Sequence, residues 1–204
     1  MDKMWEDYCK SIGLLPPLHG LAVSKPADSD LDAFEIRSRF RLPLSYREFV
    51  KLLGPGQLAS DFSVRTPGSV QNVANCTSNP AYLLVDIDCF NLDLRGDGPL
   101  RSEVIGDYSD PDKRIGRLIF FADNTAGDLV GWDSLELVEP ATLESAIYIV
   151  LGEEMSIRPL VNTFFDFIDK VCYDSEPGDA TTFERLESHS RVFRPASIPC
   201  FKGR

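Results

Sequence analysis

Apolar residues recur at helical spacing most clearly in the stretch that begins at Leu42. Tyr46, Phe49, Val50 and Leu53 fall at i, i+3, i+4 and i+7, which places them on one side of an α-helix. Pro43 suits the first turn, where its missing N–H is not needed. Gly54 suits a left-handed C-terminal cap, and Pro55 blocks continuation. An earlier helix is predicted from Ser29, whose hydroxyl can cap it with Asp32 three residues on; Leu31, Phe34 and Phe40 supply its apolar side. A third pattern, Leu160, Val161, Phe164, Phe165, Ile168 and Val171, predicts a helix over residues 159–172. Residues 82–90 fit a helix face through Leu83, Leu84, Ile87 and Phe90, although their aromatic and β-branched content also suits a strand; helix is the preferred reading.

Between these helices the pattern changes. Leu118-Ile119-Phe120-Phe121-Ala122 is a continuous apolar run, the kind that a strand buried on both faces produces. Residues 123–128 follow as a polar turn in which Gly127 can adopt positive φ and Asp and Asn can bond their own backbone. Leu129-Val130-Gly131-Trp132-Asp133 returns as a second strand. Residues 118–132 therefore read as a β-hairpin, with a bulge or wide loop because the connection exceeds two residues. Residues 62–65 form a short strand candidate ending at the Pro67-Gly68 turn, and residues 146–151 another strand rich in Ile, Val and Tyr. The acidic stretch 93–113 reads as loop. Residues 1–27, with Pro16-Pro17, read as a short helix and a loop. Past residue 172 the pattern predicts a turn over 175–179, a short helix from Thr181 or Thr182 to Glu187, and an irregular tail over 191–204.

Helices first, then mostly consecutive strands, then a helix: this order argues for an α+β fold with a mainly antiparallel β-sheet packed against several helices. A length of 204 residues suits a single domain over 1–204. Such a chain buries roughly 70% of the surface its unfolded form exposes, so it needs no metal or disulfide staple. The five cysteines, Cys9, Cys76, Cys89, Cys172 and Cys200, are scattered with no Cys-x-x-Cys spacing, which signals neither a zinc site nor a redox motif. Reduced thiols are the simplest reading. The N-terminus lacks a basic start followed by an apolar run, and no apolar stretch approaches the roughly 20 residues of a membrane-spanning helix, so a cytoplasmic protein is expected.

The net charge of -11 is concentrated. Residues 86–144 carry 14 acidic and 5 basic side chains, while residues 28–65 carry 6 of each. Such a field disfavours nucleic acid, whose phosphates attract Lys and Arg. It favours a basic protein partner, though solubility alone explains it about equally well.

Candidate chemistry is sparse. The two histidines, His19 and His189, lie toward opposite ends of the chain, and Gly-x-Ser-x-Gly is absent, so no catalytic residue is assigned. No glycine-rich phosphate cradle is present. Asp86, Asp88, Asp93 and Asp97 invite comparison with a calcium loop, but the EF-hand order is missing, so neither a metal nor a cofactor is expected. Trp132 suits either a contact hot spot or the core, and the core is the commoner place for it.

Three motifs together are similar to the SUKH superfamily, which includes fungal cell-wall-synthesis regulators and many bacterial immunity proteins. They are Leu42-Pro43 followed by Tyr46, Phe49, Leu53 and Gly54; Phe120-Phe121-Ala122-Asp123 through Gly127-Asp128 to Trp132-Asp133; and Phe164 through Phe167-Ile168. The resemblance covers a core of about residues 28–172, flanked by extensions 1–27 and 173–204, and it departs from the family pattern between Pro67 and Arg117. It implies a non-enzymatic protein-binding module, of the immunity type that neutralises a toxin, often a nuclease. A cytosolic adaptor or regulator of the same fold is the alternative, and a metal-dependent hydrolase using clustered aspartates a weaker one. Combined with the charge pattern, it places a partner-binding surface for a basic toxin domain on Asp86, Asp88, Asp93, Asp97, Asp107, Asp110 and Asp112, extended by Asp123, Asp128, Trp132 and Asp133.

Overall fold

The amphipathic stripe predicted first does form a helix. In a computed structural model that describes residues 2–11, 25–58, 62–68, 86–95, 111–153, 156–173 and 193–195, helix α3 spans Leu44–Leu53 and buries Tyr46, Phe49, Val50 and Leu53. Pro43 stands just before the helix as its cap residue, not within the first turn. Gly54 ends it with φ 77°, donating to the Val50 carbonyl at 2.8 Å. Helix α2 spans Asp28–Ser38 and buries Leu31 and Phe34. Its start differs from expectation: the Asp30 carboxylate accepts the Ala27 N–H at 3.0 Å, taking the role assigned to Ser29. A carboxylate in the first turn serves the same exposed donors and also the helix dipole. Arg47 of α3 reaches back to Asp32 at 2.8 Å and Glu35 at 2.9 Å, fastening the two helices together. Helix α1, Asp2–Ser11, contributes Trp5, which packs on Phe49 and Phe164 and donates from Nε1 to the Ser45 carbonyl at 2.8 Å.

The described strands make one antiparallel sheet. They are β1 (Gly56–Leu58), β2 (Phe62–Val64), β3 (Leu118–Asp123), β4 (Leu129–Glu139), β5 (Glu144–Leu151), β6 (Ser156–Val161) and β7 (Phe193–Pro195). Their spatial order is β6-β5-β4-β3-β2-β1-β7, so β3 to β6 form a simple meander. The expected hairpin is β3–β4. Its turn is held by Asn124, whose Oδ1 accepts the N–H groups of Ala126 and Asp128, with Gly127 at φ 85°.

A bulge explains the continuous apolar run in β3. Phe120 pairs with Gly131 and Ala122 with Val130, leaving Phe121 as the extra residue. Phe121 and Ala122 therefore both join the core formed with α1, α2, α3 and the last helix, alongside Ile119 and Trp132. Leu118 and Phe120 enter a second core on the opposite face, with Phe90, Leu94, Ile115 and Tyr148. Both faces of β3 are buried, as the run implied.

Two helices supply that second core: α4, Ile87–Arg95, and α5, Pro111–Arg117. Helix α4 also takes a strand's place. Strand β2 pairs only with Ala122 and Asp123 of β3. Beyond that point Asn91 donates to the Phe120 carbonyl at 2.7 Å and accepts the Phe120 N–H at 2.9 Å, and Arg95 donates to the Leu118 carbonyl at 2.9 Å.

Several expectations need correction. Residues 93–95 are the last turn of α4, not loop, because Leu94 has the second core to enter. Residues 111–113, also read as loop, open α5. Strand β1 was not anticipated, since Gly56-Gln57-Leu58 lacks the apolar alternation that Phe62-Ser63-Val64 shows. Residues 159–161 end β6 instead of opening a helix. Pro159 is tolerated there because β6 is an edge strand. The final helix, α6, starts at Phe164 behind the Thr163 hydroxyl, which accepts the Asp166 N–H at 3.0 Å, and continues as a π-helical turn over Phe167–Cys172. The tail expected to be irregular contains β7, which pairs with β1. Cys89 is disulfide-bonded, so the reading of five reduced thiols fails there, while Cys9 and Cys172 form no disulfide. Residues 82–85 and the helix expected near residues 181–187 lie outside the described residues.

Candidate partner-binding surface

Three of the aspartates singled out in the sequence, Asp86, Asp128 and Asp133, turn inward. Asp86 is buried; its Oδ1 accepts the Cys89 N–H at 3.1 Å at the start of α4, and its Oδ2 has no hydrogen-bond partner. Burial pushes its carboxyl up to about 6, against the pull of the Cys89 bond. Asp123 pairs at 2.6 Å with Arg65, a buried guanidinium lying 3.5 Å from the Phe90 ring centroid. Asp128 accepts the side-chain amide of Asn124 and the Gly152 N–H, both at 2.9 Å. Asp133, fully buried, binds Arg117 at 2.8 Å and Arg114 at 3.3 Å, and accepts the Leu135 N–H at 3.0 Å. Trp132 is also fully buried, stacked on Phe121 with ring centroids 4.1 Å apart.

Asp86, Asp128, Trp132 and Asp133 thus fall inside the protein and not on a contact surface. The reason is local. A carboxylate beside a turn or helix start meets unpaired backbone N–H groups, and satisfying them draws it in. Asp88 is half-buried in an ion pair with Arg37 at 2.5 Å, and Asp93 is exposed on α4. Asp112 lies in α5, and Asp97, Asp107 and Asp110 lie outside the described residues.

The far half of β4 does offer an exposed apolar run. Strand β3 pairs with β4 only as far as Asp133. Past it the β4–β5 register shifts, and Leu135, Leu137 and Val138 stand 74%, 49% and 42% exposed. Glu136 between them bonds the Tyr148 hydroxyl at 2.7 Å and Arg114 at 2.9 Å, and the two contacts in that order hold its carboxyl below the usual glutamate range. Ser134 lines a cleft of about 390 Å³ between α2, α4, α5 and β3. Leu92, 58% exposed, stands at this cleft with Asp88, Arg95 and Arg117.

Sequence reasoning missed this cleft and the Leu135–Val138 run. One signal was available: apolar residues at 135, 137 and 138 continue β4 beyond its predicted end, with no predicted neighbour to cover them. The role of Arg95 left no signal, because it depends on where β2 departs from β3.

Among the described residues, no three His, Cys, Asp or Glu side chains form a group able to hold a metal ion, and no helix is long and apolar enough to cross a membrane. Comparison with known families matches residues 25–170 to the one described as SMI1 / KNR4 family (SUKH-1). No curated protein and no solved structure matches the chain.

Proposed function

The chain belongs to the SMI1 / KNR4 family (SUKH-1), and from that premise we propose that it works by binding another protein and not by catalysis. The observation that carries this reading is the exposed run at Leu135, Leu137 and Val138 beside the cleft. Single exposed aliphatic side chains are ordinary, but three within four residues beside a concavity suit a contact surface.

Within that class the reading is an immunity-type protein that neutralises a toxin. Co-expression with the toxin encoded by an adjacent gene tests it: the chain should restore growth and co-purify with the toxin. A purified pair that forms no complex would end the reading. If the toxin is basic, Asp93, Asp97, Asp107 and Asp110 are the aspartates to engage it. Binding should then weaken with added salt and with Asn at these positions.

A second reading, an adaptor or regulator with no toxin, gains from the inward-turned carboxylates. Asp86, Asp128 and Asp133 are spent on internal bonds, which thins the acidic surface that a basic toxin would need. A chromosomal neighbourhood with no toxin gene favours this reading over the first.

A further inference from the structure

We propose that the cleft between α2, α4 and α5 takes a carboxylate-bearing segment of a partner protein, with Arg95 as its counter-charge and Leu92 as an apolar lip. This rests on the protein-binding reading above and adds the chemistry of the docking segment.

Most polar groups of the cleft wall are already spent. Asn91 spends both amide hydrogens on the carbonyls of Ile87 and Phe120 and its oxygen on the Phe120 N–H. The Ser38 hydroxyl donates to the Phe34 carbonyl. Asp88 is paired with Arg37. One guanidinium without a carboxylate partner remains, beside the Ser134 hydroxyl. Arg95 makes one bond, from Nη2 to the Leu118 carbonyl, and has no carboxylate partner among the described residues. Arg117 holds Asp133 through Nη2, while its Nε is buried with no hydrogen-bond partner.

A protein of net charge -11 therefore carries a cleft whose one charge without an opposite partner is the cationic Arg95. A carboxylate is the group that matches a guanidinium in shape and charge. A basic segment would meet the like charge of Arg95. Leu92 beside the donors favours a segment whose acidic residue has an aliphatic neighbour. A volume of about 390 Å³ admits a few side chains of a peptide, not a folded domain.

The test uses the full chain and short fluorescein-labelled peptides of Glu, Leu and Ser, with Lys-for-Glu counterparts, read by anisotropy. The Glu peptide should bind about tenfold more tightly than the Lys peptide. Arg95→Gln should weaken it about tenfold, and Arg95→Lys should recover part of the loss. Leu92→Asp, at an exposed position that the fold does not need, should weaken it as much. Peptides made as free acid and as amide separate the sources: equal binding means a side-chain carboxylate, and loss on amidation a chain terminus. No Glu-peptide binding at about millimolar concentration, equal binding of the Lys peptide, or indifference to both Arg95→Gln and Leu92→Asp overturns the proposal. A natural partner that binds yet ignores both substitutions overturns it too and leaves the protein-binding reading standing.

Discussion

Asn91 of α4 grips Phe120 of β3 from both sides of its peptide unit, donating to the carbonyl at 2.7 Å and accepting the N–H at 2.9 Å. A side-chain amide here does what a neighbouring strand does elsewhere in the sheet. Asn91→Leu, close in volume, leaves two backbone groups of a buried strand unpaired and should cost about 2–4 kcal/mol in urea unfolding. Asn91→Asp keeps only the acceptor and should fall between. A loss below about 0.5 kcal/mol for Asn91→Leu would mean that water replaces the amide freely.

Asp86 carries a stability penalty that depends on pH. Burial raises its carboxyl from 3.8 to about 6, so the folded state binds the proton more tightly than the unfolded one. The penalty is full above pH 6, fades as pH falls through 6 toward 4, and is absent below 3.8. The shift corresponds to about 3 kcal/mol as an upper bound. Asp86→Asn keeps an oxygen for the Cys89 N–H and should gain about 1–3 kcal/mol at pH 7 and almost nothing at pH 4. Chemical denaturation of both proteins across this range checks it, since the other carboxylates cancel in the difference. A gain independent of pH would refute the assignment.

Asp133 holds two arginines and the Leu135 N–H from a fully buried position. Asp133→Ala should cost about 3–5 kcal/mol, because it leaves Arg114 and Arg117 beside an empty site. The same change should free the Arg117 guanidinium at the cleft. Thermal melts measure the first effect and the Glu-peptide titration the second.

Gly152 lies against the β3–β4 turn. A Cβ added there would stand 2.8 Å from the Gly127 carbonyl oxygen, a backbone atom that cannot swing away. Gly152→Ala should cost about 1–3 kcal/mol. Gly116 of α5 has nothing within 4 Å of such a Cβ, and Gly116→Ala should be neutral or stabilise by up to about 1 kcal/mol. Equal effects at the two sites in urea titrations would remove the steric argument.

The sequence revealed local structure well and surface poorly. Helix α3 was legible because four apolar residues, a proline and a glycine act over a single stretch of chain. The β3–β4 hairpin was legible because a strand buried on both faces leaves an unbroken apolar run. Strands β1 and β7 were not: Gly56-Gln57-Leu58 lacks the apolar alternation of Phe62-Ser63-Val64, Pro195 argues against a strand, and each exists through its partner. The site was least legible of all. Composition counts Asp86, Asp128 and Asp133 as acidic surface, yet backbone N–H groups and arginines draw them inside. Arg95 is an ordinary helical arginine until β2 leaves β3 and exposes the Leu118 carbonyl to it.

The narrow join between β2 and β3 divides the sheet in time as well as in space. Strands β3 to β6 run consecutively, each antiparallel to the next, so they need only local loop closure to form. Strands β1, β2 and β7 attach to that meander through two residue pairs, Ser63 with Asp123 and Val64 with Ala122, and through the Arg65 N–H, which donates to the Phe121 carbonyl at 2.8 Å. The smaller block shares the core through Leu58, Phe62 and Val64, but with so few backbone ties it should open at a lower free energy than the larger one. Amide exchange would then divide the single sheet into two populations of hydrogens, with the boundary at Val64 and Ala122.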